Sequence, residues 1–477
     1  MLIRCGRLAL ATLTVVGAVA SAIVLFGQDV ASATTPGGTL YVSSSGTDTG
    51  TCRLSTHPCA TITYAIAQAN PNSTIDVGAG TFPEQFTIAK TLTIVGVAGQ
   101  TNIVPTSLSP VDTDPNHSTT PYPVVDVTSG AIATLKNLTI DGTAAQSTFN
   151  SCGQDPIGIY LHDASGELKH VTVKNIAETA PTNASLFGCQ SGIGVYVATD
   201  SGSSSLTMGG DTVTGYQKDG IACRDANTSC AVNNSVVTGV GPNAFQGANG
   251  IEVYGAADAS VVDDTVTQNS YTAGGAGNQA TGLLLLDDGI VNAQGNTLSG
   301  NDINAYLGSD GSGPHENGWN FTQNTVSTAA DNVAGGEAGY GNGVDIDGTS
   351  NDVVVQQNVV KTSASSGIVL TGAKNVTVSG NTANSNGGDG IYVGGPGGVW
   401  GGPAPTTSTV DSVTGNTAKN NGGDGINADT DSSGSTFSGN TTKNNQRYDL
   451  EDNGTGNSWS SDHCTPAGDS HPALLCS

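Results

Sequence analysis

Positive charge is what this sequence has least of. Its 477 residues carry 14 Lys and Arg against 40 Asp and Glu, for a formal net charge of −26. A chain so acidic offers no cationic face to nucleic acid or to an anionic membrane, which excludes both as partners. A polyanionic substrate would need a local basic patch or a bridging Ca²⁺. Aromatic residues make up 5% and Met numbers two. With Met208 the one Met after the first residue and His scattered, a copper centre lacks its soft ligands. No Cys-x-x-Cys and no cluster of His accompanies the cysteines, which argues against zinc. Beyond the first 33 residues no apolar run is long enough to span a bilayer. Helical periodicity is also missing from most of the chain.

What is abundant is glycine, 67 residues, together with Asn, Ser and Thr. These are ordered into a repeat. Gly380-Asn381-Thr382-Ala383-Asn384-Ser385-Asn386-Gly387-Gly388-Asp389-Gly390-Ile391-Tyr392-Val393 returns almost unchanged at Gly415–Ala428, and a degraded copy starts at Gly439. The Gly-Ile-x-Val half recurs from Gly158, Gly220, Gly250, Gly343 and Gly367. The Asn half recurs at Asn296, Asn324, Asn358, Asn381, Asn416 and Asn440, with gaps of 28, 34, 23, 35 and 24 residues. A Gly/Asn turn followed by a short strand with alternate apolar residues, repeated at this period, predicts a solenoid of parallel β-coils. No coil buries its apolar face alone, so stacking makes the core. The Asn series reads as a structural ladder rather than a sugar-binding array.

Residues 1–33 read as a secretory signal: Arg4 and Arg7, an apolar run from Leu8 to Phe26, then Ala31-Ser32-Ala33. An uncleaved anchor is the alternative. Eight cysteines remain after cleavage, an even number that suits disulfides in an exported chain. Pairing sequence neighbours gives Cys52–Cys59, Cys152–Cys189, Cys223–Cys230 and Cys464–Cys476. Ile62, Ala65, Ile66 and Ala69 have the spacing of an amphipathic helix, which would cover the open edge of the first coil. The expected organisation is a signal (1–33), an opening segment with the capping helix (34–70), the β-helix (71–459) and a disulfide-tied tail (460–477). Residues 105–122, 143–156 and 394–405 read as corner loops.

The stretch LYVSSSGTDTGTC…PCATITYAIAQA…TIDVGAGTFPEQFTIAKTLTIVG, with the closing YDLEDNGTGNSWSSDHC…C, resembles secreted bacterial pectin-lyase-like proteins. With the repeats, the resemblance spans nearly all of residues 39–477. It implies an all-β, single-stranded right-handed parallel β-helix. It leaves activity open, since that superfamily includes lyases, hydrolases, epimerases and adhesins.

With Ile, Val and Leu pointing inward, residues two and four past the repeat glycine point out. In order these are Tyr160 and His162, Gly194 and Tyr196, Ala222 and Arg224, Glu252 and Tyr254, Leu284 and Leu286, Asn304 and Tyr306, then Asp345 and Asp347. One face would carry Tyr160, His162, Tyr196, Arg224, Glu252 and Tyr254 within four coils, about 14 Å of sheet. β-Elimination or epimerisation of a uronate needs a cation for the carboxylate, a base for the C5 proton and an acid for the other side. Arg224 supplies a carboxylate clamp; His162, Tyr196 and Tyr254 can hold and release protons; Tyr160 and Glu252 would contact substrate. The plain alternative is stacked surface tyrosines and an ordinary Arg224–Glu252 ion pair.

Asp345 and Asp347, with Asn351 and Asp352, form an oxygen-rich group able to hold Ca²⁺, and Asp429, Asp431, Ser433 and Gly434 begin like a calcium loop that lacks its closing Glu. Turn chemistry explains both equally. Asp287-Asp288 precede Gly289 and read as a turn rather than a glycosidase pair, and no Gly-His-Gly motif is present. Asp389 and Asp424 read as turn residues. The expectation is therefore a secreted, monomeric carbohydrate-active protein acting on polysaccharide by elimination or epimerisation, with a non-catalytic adhesion protein second and a glycoside hydrolase third.

Overall fold

The computed structural model describes residues 37–111, 119–181, 185–273, 280–287, 289–308, 318–330, 341–348, 353–395, 407–466 and 469–476. The expected signal segment, Asp288, Asn351, Asp352 and the loop around Trp400 lie outside them.

Each coil contributes one short strand to each of three parallel sheets, of 15, 14 and 14 strands. We call these the first, second and third sheets in the order the chain meets them. Like stacks on like: Ile391 lies over Ile426 and Ile426 over Leu450. The inward residues of all three sheets form one apolar column, from Leu40 to Cys464. The repeat glycine is a consequence of this stacking. A Cβ at Gly220 would lie 2.5 Å from the carbonyl oxygen of Gly250 and equally close to Val237, so no larger residue fits the corner.

At the corner between the first and second sheets the Asn series forms a continuous ladder. The Asn358 Oδ1 accepts the backbone N–H of Asn324 at 2.8 Å and its Nδ2 at 3.0 Å, while Asn358 Nδ2 donates to Phe321 O and Asn381 Oδ1, both at 2.9 Å. The pattern repeats from Asn296 to Asn440 and ends on Asp462, an acceptor with no further rung to donate to. A second ladder, Asn386–Asn421–Asn445, lines the corner between the second and third sheets.

The expected helix is present as Ile62–Gln68, with Ile62, Ala65 and Ile66 buried. Thr61 Oγ1 caps the Tyr64 N–H, and the Glu84 carboxylate reaches from the first coil to the N–H groups of Ile62 and Thr63. The four disulfides join Cys52 to Cys59, Cys152 to Cys189, Cys223 to Cys230 and Cys464 to Cys476. Two boundaries differ from expectation. Strands Thr120–Val127 and Gln154–His162 start inside stretches read as loops, because the Pro and Asp there are buried within two strands that pair with each other. The tail after Trp459 contains strands His463–Thr465 and Ser470–His471, which complete a last coil. Their polar residues hide the alternation.

Asn358→Ala strips four hydrogen bonds from a buried rung, and at about 1–3 kcal/mol per orphaned group we expect a loss of several kcal/mol in urea unfolding. Buried acids set a pH dependence. Burial raises Asp264 and Asp411 to about 7. Between the unfolded carboxylate value near 4 and that value the folded chain binds more protons than the unfolded one, so stability falls as pH rises through the window. The melting temperature should be several degrees higher at about pH 5 than at about pH 8.

Candidate functional site

The third sheet has a second apolar layer on its outside: Tyr160, Tyr196 and Ala222 pack with Ile157, Ile193 and Ala198, apart from the core. The registers define two outward rows. One runs Asp126, Tyr160, Tyr196, Ala222, Glu252, Leu284, Tyr306, Asp345. The other places His162 beside Ala198, and Arg224 beside Tyr254 and Leu286. Tyr196 therefore belongs to the row of Tyr160, not to that of His162 as expected. The reason is the glycine: Gly192 occupies a left-handed turn before the strand, and Gly194 takes the corner position filled elsewhere by Gly158 and Gly220. Tyr306 shifts into the same row, with Asn304 turned into the corner.

His162 Nε2 lies 3.0 Å from Asp126 Oδ1, and its Nδ1 lies 4.0 Å from Asp200. Burial alone would lower the imidazole pKa, but the hydrogen bond and charge of Asp126, with Asp200 and Asp163 behind it, give a net rise. The ring stacks on Tyr160 with centroids 4.6 Å apart, and Tyr160 stacks on Tyr196 at 5.1 Å. The Arg224 guanidinium lies 5.5 Å from the Tyr196 ring centroid. The six expected residues thus adjoin along one face, His162 and Arg224 two coils or about 10 Å apart.

Arg224 is also held from below. Its Nε donates to Glu252 Oε1 at 2.8 Å and its Nη2 to Asp219 Oδ2 at 3.1 Å, while Asn249 Nδ2 ties the two carboxylates together. Burial works to raise Glu252, but Arg224 overrides it and the carboxyl stays below its usual range. Asp219, with no exposure, is pushed up to about 7 by burial and by the Glu252 charge. Nη1 has no partner among the described residues, so two N–H groups of a fixed guanidinium remain. Sequence reading missed Asp126, whose strand lacks the repeat glycine, and Asp219, which sits directly before one.

Farther along, Tyr306 Oη donates to Asp347 Oδ2 at 3.0 Å and Asn342 Nδ2 to Asp345 Oδ2 at 2.9 Å. Burial and then the charge of Asp347 raise Asp345 to about 7. The phenol and the amide each engage one oxygen of a carboxylate, and among the described residues no third carboxylate joins Asp345 and Asp347. Asp429 accepts Tyr392 Oη and the Thr430 N–H, as a turn residue does. The ion trio has a counterpart near the end of the sheet, where Arg447 bridges Asp424 and Glu451.

The family model for the right handed beta helix region matches residues 125–401 and 281–466, and the chain belongs to that family. No curated protein matches it. Among solved structures, the pre-mature bacteriophage phi29 gene product 12 is similar at 11% identity and a TM-score of 0.54, over 81% of this chain and 51% of that one. The periplasmic alginate epimerase AlgG is similar at 11% identity and 0.47, over 82% and 77%. Pectate lyase Pel9A is similar at 17% identity and 0.37, over 81% and 80%. At these identities the likeness is one of fold.

Removing Arg224 leaves two buried carboxylates facing each other. Arg224→Ala should cost about 3–5 kcal/mol in denaturant unfolding, and Asp219→Asn in the same background should recover part of it.

Proposed function

We propose that this is an exported carbohydrate-active protein that receives an acidic polysaccharide on the outer face of the third sheet and acts by β-elimination or epimerisation. The observation that carries the reading is the row of His162 and Arg224. A histidine paired with an acid and a fixed guanidinium lie about a disaccharide apart over the small Ala198, beside stacked tyrosines, on a chain that is otherwise strongly acidic. The free Nη1 edge of Arg224 is suited to a uronate carboxylate, and Asp219 and Glu252 hold it in position without reorganisation. His162, whose pKa Asp126 raises against burial, is suited to give a proton to a leaving oxygen. Tyr254, half-buried beside Arg224, is suited to take the C5 proton. Four disulfides agree with an oxidising compartment.

A second reading, binding without turnover, draws on the burial of Tyr160 and Tyr196 and on the two acids that already occupy Arg224. One experiment separates them. The purified protein is incubated with pectate, alginate, glucuronan and hyaluronan, while ultraviolet absorbance follows unsaturated ends and NMR in D₂O follows exchange at C5. Turnover that falls by about 10²-fold or more in His162→Gln, with unchanged unfolding, supports catalysis. No turnover on any polymer, with binding retained in calorimetry, overturns catalysis in favour of the second reading.

The Arg224 trio also predicts a pH dependence for binding. Below about 7 Asp219 is protonated and the trio is neutral; above it the trio carries one negative charge. Calorimetric affinity for a polyuronate should fall as pH rises from about 6 to about 8.

A further inference from the structure

One disulfide differs from the rest. Cys52, Cys59, Cys223, Cys230 and Cys464 are buried and Cys476 is half-buried, whereas Cys152 is exposed and its partner Cys189 is 3% exposed. Beside that pair lies Glu178, with no exposed surface, its carboxylate oxygen and both sulfurs within 4.8 Å of one another. No other disulfide among the described residues has a carboxylate so placed. Glu178 is fixed: Ser191 Oγ donates to its Oε1, and its backbone N–H donates to Gln217 Oε1 at 2.9 Å. The Gln217 amide in turn holds the carbonyls of Leu186 and Cys189. The other oxygen, Oε2, is buried with no hydrogen-bond partner among the described residues. A buried carboxylate with such an oxygen, and with no cation among the described residues that stabilises its charge, is costly as an anion and well suited as a neutral acid.

We propose that Cys152–Cys189 is a reducible disulfide with a built-in proton donor, in which Cys152 takes the attack of a dithiol reductant and Glu178 protonates the departing Cys189. The accessible sulfur is the one a thiolate can reach in line, and the buried one is the leaving group whose charge the site must quench. Burial raises the Glu178 pKa against the smaller opposite effect of Ser191, in the direction that favours the acid form.

In the first step the reductant's thiolate bonds to Cys152 Sγ and the protein S–S bond breaks. The electron pair goes to Cys189 Sγ, which takes the Glu178 proton. In the second step the reductant's other thiol loses its proton and attacks the mixed disulfide. Cys152 leaves and is protonated from solvent, and Glu178 regains a proton from solvent. The reductant is oxidised by two electrons and the protein pair becomes two thiols. The bond joins the corners that precede strands Gln154–His162 and Ile193–Ala198, so its opening releases one wall of the outer face. The inference does not depend on the function proposed above.

The test treats the native protein with dithiothreitol for graded times, quenches with acid, alkylates and counts modified cysteines by mass spectrometry. Cys152 and Cys189 should be labelled at least about tenfold faster than the other six. With glutathione, a monothiol, the mixed disulfide should be trapped on Cys152. Glu178→Gln, which keeps an acceptor for Ser191 but carries no acidic proton, should slow reduction by about tenfold, with the wild-type rate restored in denaturant. A carboxyl that only pins the loop predicts the reverse, faster reduction on loosening. Equal labelling of all four disulfides, glutathione on Cys189, or an unslowed Glu178→Gln would overturn the proposal. The two wild-type measurements decide it even where the variant does not fold.

Discussion

Everything in this molecule depends on satisfying backbone groups at the corners where the chain leaves one parallel sheet for the next. Within a sheet every N–H finds the carbonyl of the neighbouring coil, but at a corner the chain turns and the ladder lapses. The Asn series solves this with one side chain per coil, whose oxygen accepts a backbone N–H from the coil before while its amide donates to the coil after. Aspartates do the accepting half of the same work. Asp264 takes the Ser235 N–H, Asp411 the Val376 N–H, and Asp389 and Asp424 follow each other at the third sheet's corner. Part of the chain's acidity is therefore architectural and buried. It contributes less to the surface charge than the formal net charge implies, because burial raises several of these groups to about 7.

The corner acids also explain the two ion trios. Asp219 and Asp424 each stand directly before a repeat glycine, and each meets a glutamate on the outer row of the next coil, Glu252 or Glu451. Two carboxylates brought that close require a cation. In one case it comes from the strand itself as Arg224, with 17% of its side chain exposed; in the other it comes from a corner as Arg447, with 56% exposed. A trio that recurs is a solution to stacking, and alone it does not mark a site. The second trio has a histidine of its own, His471, 4.0 Å from Glu451 and stacked on Tyr448; what it lacks among the described residues is a second tyrosine in that stack, as Tyr196 is in the first.

Much of the fold was legible because stacking imposes a period on the sequence. Gly220 and Gly250 recur because no larger residue fits the corner, the Asn rungs because one side chain must both accept and donate, and inward Ile and Val alternate because the core demands it. The outward positions of Tyr160, His162, Arg224 and Glu252 followed from that alternation alone. Partners contributed by other coils did not follow. Asp126 lies on a strand with no glycine to mark its register, and Asp219 has the appearance of a turn residue until the structure sets it beneath Arg224. Tyr196 was displaced by one row because two glycines, Gly192 and Gly194, compete for the corner, and only three-dimensional stacking decides between them.

The same reasoning separates uniform rows from varied ones. In the first and second sheets between Thr377 and Lys443 most registers pair like with like, Thr with Thr or Ser and Val with Val or Phe. From Asp126 to Asp345 the outer row of the third sheet runs acid, aromatic, aromatic, small, acid, aliphatic, aromatic and acid, and it goes on varying through Val369, Tyr392, Asn427 and Glu451. Stacking favours uniform rows, since identical side chains pack and bond to their own copies. A row that gives up uniformity while its coils keep their registers is specified by something other than the solenoid. It is there, and at the unusual carboxyl beside Cys189, that this chain departs from what its own repeat requires.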